Sequence, residues 1–382
     1  MKSRIVVTGC DQISSLGNNL LELDESVDKQ KSGISSYCLD LPGADPGKIA
    51  ISRANWDPGN LIAPSKVPMD RSTAMAITVS KRAFEQADID PSDCESKSLG
   101  IYWGSGMSGA NTFDLSCKAL YQHQQRLRPT HVVTVMPNAP AAEIALLLGA
   151  KGICLNFACA CSSSAVAIGE AMQAIRSGRI EIAVAGGSES MLTPAVIAGW
   201  QAMRVLAQPG HDPATACQPF DLNRRGFALG EGAGAVVLET ESRALKRGAK
   251  ILGYLSGYGL SSDGTHITSP DVSGQIRAIE LALDDANLTP SEIGYINAHG
   301  TATQVGDLVE ASSISRVFGE YGVLVSSTKA LHGHLLGASP VIELIICLRA
   351  LNNYKLPISS HLEKQDPRIT LKLVDKKNSH AS

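Results

Sequence analysis

Gly152-Ile153-Cys154-Leu155-Asn156-Phe157-Ala158-Cys159-Ala160-Cys161-Ser162-Ser163-Ser164, continued by the small-residue run 165–176, is the stretch whose reading decides the fold. Ile153, Leu155 and Phe157 read as a buried strand, and the Ala/Ile/Met-rich run after them reads as a buried helix, so Cys161 stands where strand hands over to helix. That position suits a nucleophile. The unsatisfied N–H groups and dipole of a helix N-terminus favour thiolate over thiol, and can lower a cysteine pKa from about 8.5 toward or below neutrality. The three serines of the first turn are expected to cap those amides without crowding the sulfur.

The surrounding chain bounds the answer. Its 382 residues allow two domains or one large duplicated one, and 44% hydrophobic with 19% charged residues is the composition of a compact enzyme. A net charge of −3 gives no reason to expect nucleic acid or a membrane surface as the main partner. No uninterrupted apolar run reaches the roughly 18 residues that span a bilayer. A strand from about the fourth residue leaves no room for a signal peptide, and nine cysteines is an odd number, so reduced thiols in the cytoplasm are expected.

Taken in order, Ile5, Val6 and Val7 form a strand that is expected to end at Thr8-Gly9. Residues 29–69, rich in Gly, Pro, Ser and Asp, read as a surface excursion. A helix follows over 72–87, stopped by Asp90-Pro91-Ser92, then a strand over 99–103 running into Gly104-Ser105-Gly106, and a helix over 136–148. Beyond Cys161, residues 180–185 and 235–239 read as further buried strands. The glycines between Gly226 and Gly234 signal close backbone approach rather than phosphate binding, because no Walker lysine or Rossmann helix follows them.

The chain then starts again. Lys250-Ile251-Leu252 opens toward Gly257 as Arg4-Ile5-Val6-Val7 opens toward Gly9, and the segment 286–292 echoes 87–93. The strand over 294–297 ends in His299-Gly300-Thr301, and that over 322–326 ends in Ser327-Thr328-Lys329, where the first half carries Cys161. A helix is expected over 334–351 and a last strand over 371–374. Internal repetition predicts two similar α/β halves, 1–248 and 249–382, whose strand ends converge on one crevice, with the second half shorter. Cys161, His299 and His334 occupy the strand ends of interest, with Lys329 just before the last. Zinc is not expected: Cys159-Ala160-Cys161 lacks the spacing of structural zinc pairs, even with His332 and His334 nearby. Cys154 and Cys347, in apolar runs, read as small core residues, and Asp307 and Glu231 as hydrogen-bond anchors.

These motifs resemble those of the β-ketoacyl-acyl carrier protein synthases and polyketide ketosynthase domains. Cys159-Ala160-Cys161-Ser162-Ser163-Ser164 is similar to their Thr-Ala-Cys-Ser-Ser nucleophile signature, with Cys159 in the threonine place; Ile168-Gly169, seven residues after Cys161, favours this register over one on Cys159. Asn297-Ala298-His299-Gly300-Thr301 is similar to the first-histidine motif, and Ser327-Thr328-Lys329 with Gly333-His334-Leu335-Leu336-Gly337-Ala338 to the lysine and second-histidine motif. The resemblance implies an α/β, thiolase-like, layered αβαβα fold and a dimer, either with a second copy or with another ketosynthase-like subunit. It implies that Cys161 holds an acyl chain while His299 and His334 face a malonyl thioester. Lys329 would order the histidines through charges that include Glu310 and Glu343. The substrates would be acyl and malonyl thioesters; no cofactor is bound, since phosphopantetheine arrives on an acidic acyl carrier protein. Lys66, Arg71, Arg126 and Arg128 are the candidate docking charges.

The sequence departs from the family in three places. It holds no Phe-Gly-Phe-Gly-Gly-Thr-Asn loop, which in the family supplies a second oxyanion donor, so only the Cys161 amide can be assigned to that hole; loss of one donor typically costs about 10²–10³ in rate. The same departure predicts a short second sheet with an unpaired edge, and it raises the alternative of a weakly active partner subunit that shapes another synthase's product. A thiolase acting on acyl-CoA fits less well, since two histidines stand where thiolases use a second cysteine. Pro340 takes the place of a glycine, tolerable in a helix's first turn, and Arg224-Arg225 replaces Arg-Asp.

Overall fold

A computed structural model describes residues 3–39, 47–59, 61–89 and 98–380. Its first half runs β1 (Ile5–Ile13), α1 (Leu20–Asp28), β2 (Ile34–Leu39), β3 (Gly47–Ser52), α2 (Arg71–Ala87), β4 (Leu99–Gly104), α3 (Ala110–His123), α4 (His131–Val135), α5 (Ala139–Leu148), β5 (Cys154–Phe157), α6 (Ser163–Arg176) and β6 (Ile182–Glu189). It continues with α7 (Pro194–Ala202), β7 (Leu229–Gly230), β8 (Gly232–Thr240) and α8 (Glu241–Lys246). Then follow β9 (Gly253–Leu255), α9 (Val272–Ala286), β10 (Tyr295–Asn297), α10 (Gly306–Phe318), β11 (Leu324–Ser326), α11 (Lys329–His332), α12 (Ser339–Asn353) and β12 (Lys372–Leu373).

Six strands in the order β5-β4-β6-β8-β1-β9 form the main sheet. The β5, β4 and β6 strands are parallel, while β8 pairs antiparallel with both β6 and β1. Helices cover both faces, as runs such as Ile182-Ala183-Val184-Ala185 require, since they are apolar on either side. On one face α2 and α5 pack through Met75, Ala76, Val79, Ala83 and Ile144. On the other, α6 and α12 pack through Ala167, Ala171, Met172, Val341, Ile342 and Ile345. The second sheet, β10-β11-β12, is all parallel and carries its own core of Phe220, Ile314, Val325 and Leu371.

Several local expectations change. The first strand does not stop at Gly9 but continues to Ile13, because Gly9 is where α2 presses on the sheet: a Cβ there would lie 2.1 Å from the Ala83 carbonyl oxygen. A register irregularity between Val7 and Gly9 absorbs the contact. Residues 29–69 are not merely a surface excursion, since β2 and β3 pair antiparallel and β3 joins β7, burying Ile34, Ile49 and Ile51 against Ile197 and Leu229. Two short strands in a Gly/Ser-rich context left too few alternations to read. The helices α3 and α4 were not foreseen, and the helix expected from residue 334 begins only at Ser339, with Pro340 in its first turn. The strand anticipated at Lys250-Ile251-Leu252 begins at Gly253 and joins β1, extending the first sheet. The turn at Asp90-Pro91-Ser92 and its place in the repeat lie outside the described residues.

The stretch around Cys161 also differs in detail. As the outermost strand of its sheet, β5 has Cys154 and Leu155 exposed rather than buried. Among the described residues the second sheet has three strands, with β10 and β12 at its edges. The eight described cysteines are free, and no described helix is long and apolar enough to cross a membrane.

Candidate active site

Cys161 lies in a 3-10 turn, Ala160–Ser162, between β5 and α6. Ala160 holds a left-handed φ of 50°, which costs a side-chain-bearing residue free energy and aims the next side chain out of the turn. The turn sits close over β4 because Gly104 has no side chain: a Cβ there would lie 2.3 Å from the Ser163 carbonyl carbon. The serines do not cap α6 as expected. Ser163 Oγ accepts from the Cys159 N–H at 2.9 Å and donates to Ala160 O, Ser162 Oγ donates to Cys159 O, and Ser164 Oγ accepts from the Val341 N–H at 3.1 Å, tying α6 to α12. They brace the turn and leave the N-terminal amides of α6 without a side-chain cap.

The second half delivers two imidazoles to the sulfur. His334 follows α11 and is stitched to β7, its N–H donating to Ala228 O and its carbonyl accepting from the Gly230 N–H, both at 2.8 Å. This places Nε2 3.1 Å from Cys161 Sγ. His299 follows β10; Glu310 accepts the backbone N–H groups of His299 and Gly300, each at 2.7 Å, and so fixes the loop. The His299 and His334 rings meet edge to face with centroids 5.2 Å apart, and Phe227 packs on His334 at 5.1 Å. One donor atom from each of Cys161, His299 and His334 lies within 4.8 Å of the others.

Lys329 is wholly buried at the start of α11 and forms an ion pair with Glu343 of α12. Its ammonium is the cation of the site and the second cause, after burial, that pushes both His299 and His334 down into the neutral form. His299 keeps an open face in the single chain, so for it the Lys329 charge is the firmer cause. Glu310 and Glu343 are both pushed up by burial and pulled down by Lys329. The charges expected around Lys329 are thus assembled, with Glu343 as its direct partner and Glu310 acting on the His299 backbone.

The thiol departs from expectation. Burial pushes Cys161 up to about 11, with Glu189 adding to the rise, against the smaller lowering effects of Lys329 and a backbone N–H. Desolvation of a thiolate in this pocket outweighs the helix terminus, so the resting site holds a thiol and neutral imidazoles. Alkylation of Cys161 by iodoacetamide should therefore climb with pH from 7 to 9 by roughly tenfold per unit, with no plateau in that range. A plateau at or below pH 8 in peptide-resolved mass spectrometry would show a thiol lowered by the helix instead.

Two polar residues escaped the sequence reading. Glu189, completely buried at the end of β6, accepts from the Gly106 N–H at 2.7 Å, the Met107 N–H at 3.1 Å and the Gly337 N–H at 3.3 Å, locking the loop after β4 to the His334 segment. Its only signal was an acid closing the Gly-Gly-Ser-Glu end of an apolar strand. Ser339 Oγ accepts the Leu335 N–H at 2.9 Å and lies 3.1 Å from His334 Nδ1. The hydroxyl keeps one hydrogen and a second lone pair, so it can serve either ring tautomer of His334.

Other named residues sort clearly. Arg71 is not a docking charge: it turns inward onto buried Glu231, at 2.8 Å, and onto the carbonyls of Ala54 and Trp56. Lys66, Arg126 and Arg128 are exposed. Glu231, which also accepts from Ser190 Oγ, and Asp307, which accepts the Phe220 N–H at 2.8 Å, are anchors as expected. Arg225 stands on the surface, so the change from an acid there is a surface change, whereas Arg224 is fully buried.

Two α/β halves that bring a cysteine from one and two histidines from the other to a single point define the thiolase-like class. The chain matches the β-ketoacyl synthase N-terminal domain over residues 2–244 and the β-ketoacyl synthase C-terminal domain over residues 252–363, and it belongs to the β-ketoacyl synthase family. It is 35% identical over 377 residues to 3-oxoacyl-[acyl-carrier-protein] synthase 2 of Staphylococcus aureus (strain N315), covering 97% of this chain and 91% of the relative. Its fold is similar to the ishigamide ketosynthase/chain length factor, with a TM-score of 0.89 and 27% identity over 100% of this chain and 94% of the other. It is similar too to the type II polyketide ketosynthase AntDE, solved bound to a hexaketide and in complex with its acyl carrier protein AntF, with a TM-score of 0.87 and 26% identity over 98% and 92%. Family and fold make it a protein of the acyltransferase type.

Proposed function

We propose that this chain is a β-ketoacyl-acyl carrier protein synthase that catalyses decarboxylative Claisen condensation. The observation that carries the reading is the 3.1 Å approach of His334 Nε2 to Cys161 Sγ, with His299 alongside. Cys161 sulfur attacks an acyl thioester; the acyl–sulfur bond to the carrier breaks, and the Cys161 proton ends on the departing carrier thiol. Malonyl thioester then loses carbon dioxide, and the electron pair of the broken bond becomes an enolate whose oxygen takes hydrogen bonds from His299 and His334. The enolate carbon attacks acyl-Cys161, the carbon–sulfur bond breaks with its electron pair on sulfur, a β-ketoacyl carrier thioester two carbons longer leaves, and the Cys161 thiolate takes one proton from solvent to restore the thiol. Burial and the Lys329 charge together keep both imidazoles neutral and so able to donate through one nitrogen while accepting through the other.

Thioesters arrive on acyl carrier protein, for which exposed Lys66, Arg126 and Arg128 offer positive charge. A second ketosynthase-like chain pairs along β5, where Leu155, Phe113, Val132 and Val133 are 45%, 56%, 62% and 52% exposed. One specific observation favours a second reading, a chain-length-shaping subunit with weak activity: the fold is similar to that of the ishigamide ketosynthase/chain length factor. The test is to incubate the protein with acyl carrier thioester, map the acylated residue, then add malonyl carrier protein. Acylation at Cys161 followed by release of the extended β-ketoacyl thioester is expected. Acylation without extension would move the assignment to the partner subunit, and folded protein that is not acylated at Cys161 would reject both catalytic roles.

A further inference from the structure

The spacing of Cys159, Cys161, His332 and His334 does not suit a metal; the fold assembles a different set. His332 is fully buried with Nε2 2.9 Å from Thr328 Oγ1, and it is His299, from a distant segment, that joins Cys161 and His334. From this geometry we infer that Cys161 Sγ, His334 and His299 form a binding site for a soft divalent cation, Zn²⁺, which holds the nucleophile in an unreactive state.

The donor set is one sulfur and two imidazole nitrogens, the chemistry that selects zinc over magnesium or calcium. Zinc bonds of about 2.0–2.3 Å put tetrahedral donor atoms roughly 3.3–3.6 Å apart. Here the sulfur and His334 Nε2 stand 3.1 Å apart and all three donors lie within 4.8 Å, so small side-chain rotations close the cage. His334 has the outer ring contact that a zinc-binding histidine needs, and the His299 loop is held in place. Ser339 Oγ, 3.1 Å from His334 Nδ1, can accept an Nδ1 proton and so free Nε2 for the metal, while Glu310 clamps the His299 backbone. The exposed side of His299 leaves an entry path and room for water as fourth ligand. One ammonium, Lys329, opposes a cation, but its partner Glu343 together with Glu310 and Glu189 supplies three carboxyl groups to the same pocket. On binding, the Cys161 S–H bond breaks, a sulfur–zinc bond forms and one proton passes to solvent; His334 binds as the neutral ring with its proton on Nδ1. Nothing is oxidised or reduced. The bound sulfur's lone pair is shared with the metal, so it cannot attack a thioester.

The test uses the full chain in chelator-treated buffer with no thioester present, so it stands or falls separately from the condensation reading. Iodoacetamide labelling is followed peptide by peptide while free Zn²⁺ is set by a metal buffer. At about ten times the dissociation constant, Zn²⁺ should slow labelling of Cys161 about tenfold, and EDTA should restore it. Exposed Cys38, Cys154 and Cys159 serve as internal controls whose labelling should not change. Co²⁺ in place of Zn²⁺ should give a sulfur-to-metal charge-transfer band with the intense visible absorption of tetrahedral cobalt, a readout that needs no variant. The band should vanish in Cys161→Ser, and zinc protection should be lost in His299→Ala. Labelling of Cys161 that ignores zinc, or protection that persists unchanged in His299→Ala, would overturn the inference.

Discussion

Cys161→Ala is expected to fold and take up no acyl group from carrier thioester, while His299→Ala still becomes acylated and loses condensation. The first result follows from the proposed function, in which the sulfur forms the bond, and none of the other described cysteines is placed 3.1 Å from an imidazole. The second follows from the position of His299. Its ring sits edge-on to His334, and acylation by sulfur does not require it, whereas enolate charge develops where its N–H can point. Loss of one such donor should slow condensation about 10²–10³-fold. Acylation is read by intact-protein mass and condensation by product thioester, so the two steps separate. An acylated Cys161→Ala protein would show that the nucleophile lies elsewhere. A His299→Ala protein that condenses at the wild-type rate would remove His299 from the chemistry.

Arg224→Met is expected to destabilise the fold by about 3–5 kcal/mol, the cost typical of breaking a buried ion pair. Arg224 is fully buried; Nη1 donates to Asp366 Oδ2 and to Asp221 O, both at 2.8 Å, Nε to Thr303 O at 3.0 Å and Nη2 to Gln304 O at 2.7 Å. Asp307 lies 3.7 Å away and is also fully buried. Methionine matches much of the length but leaves buried Asp307 and three carbonyls without their cation, while Asp366 keeps only Arg368, at 2.7 Å. Since Thr303 and Gln304 follow the His299 loop, the same change should also loosen the site. Urea unfolding measures the effect, with surface Arg225→Met as a control expected within about 0.5 kcal/mol of wild type. Equal midpoints for the two variants would show that the cluster contributes nothing to stability.

How much of this was legible depended on whether a feature is local in the chain. The apolar runs that became β4 and β6, the small-residue helix α6 and the turn at Cys161 could be read directly, because burial on both faces of a sheet and close helix packing each impose a residue pattern on a short window. Cys161, His299, Lys329 and His334 could be singled out by their positions at the ends of apolar runs, although the strand read at 250–252 as restarting the fold lies at 253–255 and extends the first sheet. The hairpin of β2 and β3 could not, because short strands are stabilised by the sheet they join rather than by their own alternation.

Charge and ionisation were not legible at all. Arg71 and Arg224 are ordinary cations in the sequence, and only packing turns them inward onto carboxyl groups. A helix terminus read alone argues for a low thiol pKa, but the burial that reverses it comes from the rest of the molecule packed around Cys161. The sequence thus determined which side chains were candidates for chemistry and which family's motifs they resemble. The tertiary structure alone decided how far apart those atoms stand, which of them are charged, and which imidazole joins the sulfur, because distance and desolvation between remote segments are set by packing and leave no mark on neighbouring letters.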